Sequence, residues 1–216
     1  MKQLFNLDSP LMRGLGWISD LLILNILTIL FCIPVVTIGA AVTALYDSVG
    51  RMERAEGHVF ANYWSSFRSN FRQATILWLI LLVVGILILS SLLFYSTTEV
   101  SFGTIFKLVS IVLLVVWCVV ATWAFQLQCH FDNSIKNTVR NAVICSLVYL
   151  PRTVVATLLN MTPWLVMYFY TLQFLEFIPV WGFLWFSLSA YLNAKVLAKP
   201  FAKLKEISEK QQELCA

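Results

Sequence analysis

Charge is what this sequence has least of. Only 12% of its 216 residues are Asp, Glu, Lys or Arg, while 60% are hydrophobic; an average soluble domain is about a quarter charged and about half apolar. A soluble fold has no use for so much apolar surface, so the excess must face lipid. The familiar catalytic signatures are missing too. There is no HExxH, no Walker loop and no nucleophile elbow. The eight glycines are dispersed, so no loop can cradle a phosphate. Five cysteines, at 32, 118, 129, 145 and 215, form no CxxC pair. That excludes a disulfide framework or zinc knuckle and leaves them as small buried hydrophobes. Cys129-His130-x-Asp132 offers metal-binding atoms, but adjacent residues on a helix point in different directions. The reading is therefore no metal, no cofactor and no enzyme.

A cleavable leader is not expected either. Asp8-Ser9-Pro10 precedes a long apolar run, where Asp8 or Ser9 can cap a helix with Pro10 at its first position.

What is present is a series of apolar runs near the roughly 20 residues that cross a bilayer. The pattern predicts an all-α, polytopic membrane bundle of about five spans in a single domain. The first three spans fall at 17–36, 75–95 and 104–127. The C-terminal half admits two parses. One places spans at 141–160 and 163–195, which buries Arg152 and Glu176. The other places them at 153–175 and 180–198, with Arg152 at an interface. The second is preferred, because a charge at mid-span costs about 2.5–3.5 kcal/mol.

Lys and Arg cluster in 46–72, in 128–152 and after 195, while the turns at 96–103 and 176–179 have none. By the positive-inside rule the C-terminus, with its tail 199–216, is cytoplasmic and the protein is multi-pass in the cell membrane. The same placement explains the basic residues without nucleic acid. Trp17, Trp78, Trp123 and Trp185 fall near span ends, as interfacial anchors do. Asp20, near the start of the first span, can pair with Arg13.

Two further segments read as cytoplasmic interfacial helices. In 58–72, Phe60, Trp64, Phe67 and Phe71 share one helical face, with Arg68 and Arg72 beside them. This face is a candidate membrane-surface or partner site. In 134–150, Ile135, Val139, Val143 and Leu147 repeat every four residues. The tail carries Phe201, Leu204, Ile207 and Leu214 among Lys and Glu, and reads as a short amphipathic helix. Within the spans, Asn25, Asn160 and Asn193 form a candidate intramembrane polar site, with Thr28, Pro163 and Ser189 nearby. Such residues mark transport paths or act as interhelical glue.

DSPLMR at 8–13, PVVTIGA at 34–40, TALY at 43–46, FRSNFRQA at 67–74, LPRT at 150–153 and AYLNA at 190–194 together resemble the YesL-like family of bacterial membrane proteins. The resemblance covers nearly the whole chain in the family's order. It implies a domain of unknown function. Because such genes often neighbour carbohydrate transporters and sensor kinases, it also implies an accessory role in sugar uptake or its regulation. A sugar transporter subunit or sensor kinase would then be the partner, besides the lipid bilayer. It implies no catalytic residue. On physical grounds, PVVTIGA should break the first helix at Pro34 and turn the chain back near Gly39. A small transporter or channel is the alternative function.

Overall fold

The computed structural model describes residues 10–97, 103–131, 134–170 and 181–215, and every element among them is helical. We number them α1 (Pro10–Cys32), α2 (Ile38–Glu53), α3 (Val59–Thr97), α4 (Gly103–His130), α5 (Ile135–Val148), α6 (Leu150–Phe169) and α7 (Phe186–Cys215). A 3-10 turn, Val35–Thr37, precedes α2, and a π-helical turn, Trp181–Trp185, leads into α7. The expected turns at 96–103 and 176–179, with Glu176, fall wholly or partly outside the described residues. So do Asp132 and the side chains of Arg13 and Leu214.

Among the described residues, α1 (from Gly14), α3 and α4 are long and apolar enough to cross a membrane, and α5 with α6 makes a fourth if the bent pair counts as one span. The expected spans at 153–175 and 180–198 run into residues 171–180, which are not described. Their described parts are α6 and the π turn with the start of α7.

The first span ends sooner than expected, at Cys32 rather than residue 36. Pro34 has no N–H to give the carbonyl of Leu30, and the Ile33 N–H takes its place at 3.4 Å. The carbonyls freed by the break find donors. The Thr37 hydroxyl lies 2.6 Å from Phe31 O and 2.8 Å from Pro34 O, and Trp78 Nε1 donates to Val35 O at 2.8 Å.

The chain then forms α2, which span length alone did not reveal. α2 touches α1, α3, α4 and α7. Its buried residues are mostly small: Gly39, Ala40, Ala41, Thr43, Ala44 and Ser48, with Leu45, Tyr46 and Val49. At Gly39 a Cβ would fall on the Ala74 carbonyl and within 2.5 Å of Trp78 Cβ. Small residues of this kind let helix backbones approach where lipid gives no hydrophobic drive for association. The turn into α3 is closed by Arg54 donating to Glu56 at 2.7 Å, which holds the Glu56 carboxyl below its usual range.

The 58–72 segment is not a separate helix. It is the first part of α3, continuous with the 75–95 span over 39 residues. Ser65, Arg68, Asn70 and Arg72 make it polar, but no Gly or Pro stands between Val59 and Gly85 to end it. At 1.5 Å per residue α3 is about 58 Å long, against a bilayer core of about 30 Å. α4 packs along it. Trp117 Nε1 donates to Leu81 O at 2.8 Å, Ser91 and Ser110 hydroxyls meet at 2.7 Å, and the Trp117 ring occupies the space a Cβ on Gly85 would need.

A corner of 110° separates α5 from α6 at Tyr149. Pro151 lies in the first turn of α6 and Arg152 beside it, half-buried. Thr153 secures the corner: its hydroxyl accepts from Trp123 Nε1 at 2.9 Å and lies 3.2 Å from Ser146 O and 3.1 Å from Tyr149 O. Trp123 is thus a fully buried core residue, not the interfacial anchor expected. The packing face of α5 matches expectation only at its start, where Ile135 and Val139 pack partly buried against the core. Thr138, Ala142 and Cys145 are buried, while Val143 and Leu147 are exposed. Small residues again take the helix contact and leave larger apolar ones for lipid. The tail is likewise no separate helix: α7 runs through Pro200 to Cys215, with Phe201 buried against Trp123 and His130.

Replacing Gly39 with Ala or Leu should cost at least about 1–3 kcal/mol by overpacking. Gly14, with nothing within 4 Å of its Cβ position, should accept Ala at no cost and gain up to about 1 kcal/mol of helix propensity. Thermal melts of detergent-purified variants should separate the two; equal melts would show that the α2–α3 contact yields freely.

Candidate functional site

The sequence marked two candidate sites, and the structure treats their members differently. Of the three intramembrane asparagines, two meet. Asn193 on α7 donates to Asn160 Oδ1 on α6 at 2.8 Å. Asn160 in turn reaches the Thr122 hydroxyl on α4 at 3.4 Å. The buried Tyr46 hydroxyl on α2 faces the side chains of Asn160, Asn193 and Gln126. Four helices therefore contribute to one uncharged polar patch. Tyr46, Thr122 and Gln126 were not singled out from sequence. Tyr46 stands in a segment that did not read as a span, and one Thr or Gln in an apolar run is ordinary.

Asn25 stands apart from this patch. Its Nδ2 donates to Gly182 O and its Oδ1 accepts from Ser187 N at 3.1 Å. A π-helical turn shifts the backbone hydrogen-bond register and leaves peptide groups without their usual partners. One fully buried primary amide satisfies a carbonyl and an N–H there together. Asn25 is a clamp for the start of α7.

The patch borders a cavity of about 490 Å³ between α2, α4, α6 and the start of α7. Among the described residues, Tyr46, Thr122 and Asn160 line it, together with Phe125, Pro163, Ser189 and a set of apolar residues, and none of these is charged. Trp164 and Phe186 line it too and are otherwise exposed, so they form its rim.

The second candidate site is the aromatic strip on the early part of α3. Its rings form a chain: Trp64 and Phe67 stack at 6.0 Å, and Phe67 meets Phe71 edge-on at 5.4 Å. Phe67 is the inward member, 7% exposed and 4.7 Å from the Phe31 ring of α1. Tyr63, missed by the sequence pattern, is the other anchor, buried with its hydroxyl 3.3 Å from Ala41 O. Phe60, Trp64 and Phe71 are 59%, 45% and 40% exposed. Arg68 and Arg72 are exposed beside them, and no ion pair among the described residues includes either.

Residues 21–92 match the family described as "Protein of unknown function, DUF624". That stretch, a third of the chain, is similar to DUF624. This bears out the resemblance read from PVVTIGA, TALY and FRSNFRQA, which all lie inside the matched region. The DUF624 segment takes in the second half of α1, the Pro34 break, α2 and most of α3. It therefore includes Asn25, Tyr46 and the aromatic strip, while Asn160 and Asn193 lie beyond it. No curated protein and no solved structure matches the chain.

Two groups of asparagines should behave differently on truncation. Asn25→Ala leaves a buried carbonyl and N–H unpaired and should cost about 1–3 kcal/mol. A double-mutant cycle on Asn160 and Asn193 should give a coupling of about 0.6–1.7 kcal/mol, the range for interhelical bonds in membranes. Asn25 and Asn160 should be additive. Coupling between Asn25 and Asn160 as large as between Asn160 and Asn193 would contradict the separation of clamp and patch.

Proposed function

We propose that this chain is a membrane accessory or scaffold protein that works by binding another membrane protein and has no catalytic activity of its own. In this reading it crosses the cell membrane five times, with its basic segments and C-terminus in the cytoplasm. The observation that carries the reading is the early part of α3. A helix nearly twice as long as a bilayer core is thick carries, outside its most apolar stretch, three exposed aromatic rings and two arginines that have no acidic partner among the described residues. Ring and guanidinium together suit a partner surface that is apolar with an acidic rim. The YesL-like resemblance suggests the partner class, a carbohydrate transporter subunit or a sensor kinase.

Changing Arg68 and Arg72 to Glu should abolish recovery of that partner after crosslinking in native membranes, with abundance and insertion unchanged. Capture that survives the reversal would reduce the strip to packing or headgroup contact. In that case Trp64→Ala with Phe67→Ala should lower abundance, and the reversal should matter little. Orientation has its own measurement. In a variant whose only cysteine is Cys215, a membrane-impermeant thiol reagent should label broken cells and leave intact ones unlabelled.

A small transporter is the second reading, favoured by the Asn160–Asn193–Tyr46 patch beside Pro163 inside α6. Uptake of a sugar panel into liposomes holding the purified protein would support it; no uptake across the panel would oppose it.

A further inference from the structure

We propose that the cavity between α2, α4, α6 and α7 binds an uncharged, single-chain amphiphile: a hydrocarbon chain ending in a hydroxyl or amide, such as a monoacylglycerol. The proposal stands independently of the docking strip, which shares no residue with the cavity.

Three features select this ligand class. The first is volume. About 490 Å³ lies in the lower half of the roughly 300–1,000 Å³ usual for small-molecule sites, which suits one chain better than two. The second is where the polarity sits. Asn160 meets both Thr122 and Tyr46, which gathers three hydrogen-bonding groups into one patch; beyond it the described wall is largely apolar, with Ser189 as a further hydroxyl that donates to Phe186 O. A sugar ring presents hydroxyls around its whole edge and would leave several unpaired against that wall. An amphiphile has its polar atoms at one end, which one patch can pair, and leaves its chain to the apolar wall. The third is charge. Among the described residues no cation or anion lines the cavity, so an ionised head would meet no counter-charge from them. The exposed aromatic rim, Trp164 and Phe186, suits entry from a lipid phase.

Native mass spectrometry of the detergent-purified protein, titrated with 1-monooleoylglycerol, tests this directly. The expected result is a saturable one-to-one complex. Oleate at a pH where it is ionised should bind at least about tenfold more weakly, since burying an unpaired carboxylate exceeds the 1.4 kcal/mol that a tenfold change represents. Ala121→Phe, which fills the cavity from α4, should weaken the monoacylglycerol complex by a similar factor. Arg68→Glu with Arg72→Glu should leave it unchanged, which separates this result from the fate of the docking reading. If Ala121→Phe does not stay monodisperse, the comparison of monooleoylglycerol with oleate on the unaltered protein decides alone. Non-saturable uptake, or equal binding of the neutral and ionised ligands, would overturn the proposal.

Discussion

A helix that must touch four neighbours at once has little room for large side chains at its closest contacts. α2 meets α1, α3, α4 and α7, and the rest of the bundle is arranged around how closely they can approach it. Gly39 sets the limit, because its backbone sits where even a methyl group would strike the Ala74 carbonyl. Ala40, Ala41, Ala44 and Ser48 extend the same narrow profile along the helix. In water such a helix would be a poor core element, since alanine buries little apolar area. In lipid the driving force changes. Large apolar side chains gain little by leaving hydrocarbon, and dispersion between closely packed backbones takes over. The exposure pattern follows from this. Along α2 most of the buried residues are small, while many Leu, Ile, Val and Phe side chains of α1, α3 and α4 are exposed on the outside of the bundle.

Close packing of irregular helices leaves peptide groups that no water can satisfy, and this fold meets each with a specific side chain. Thr37 and Trp78 serve the break at Pro34, Thr153 serves the corner at Tyr149, and Asn25 serves the π turn before α7. All are hydroxyl, amide or indole groups, uncharged and cheap to bury once paired. The polar residues of the spans are therefore mostly joints. Tyr46, Thr122, Asn160 and Asn193 are the exception, because they serve no backbone break in common yet converge from four helices beside a cavity.

Composition made the class of fold legible: an all-helical chain with lipid-facing runs. PVVTIGA likewise marked a real break at Pro34, and LPRT a real helix start before Arg152. Three things escaped. α2 is only moderately apolar and 16 residues long, so a search for spans passed over it, although its run of Gly and Ala is what a tightly packed membrane helix needs. The continuity of α3 was hidden because polarity was taken as a boundary, whereas only Gly, Pro or a capping geometry ends a helix. The grouping of the asparagines could not be read at all. Asn25, Asn160 and Asn193 look equivalent in sequence, and only three-dimensional placement separates the clamp from the patch.

The two sites bear differently on any link to carbohydrate. The described lining of the cavity is mostly apolar with few hydrogen-bonding groups, a poor match for a ring of hydroxyls, and no charged residue is among it. The arginine-flanked strip on α3 is the reverse: exposed, basic and too shallow to enclose a small molecule. If the chain serves sugar uptake, its own surfaces assign the sugar to the partner. What remains to this protein is contact through α3 and, inside the bundle, response to a lipid-like ligand.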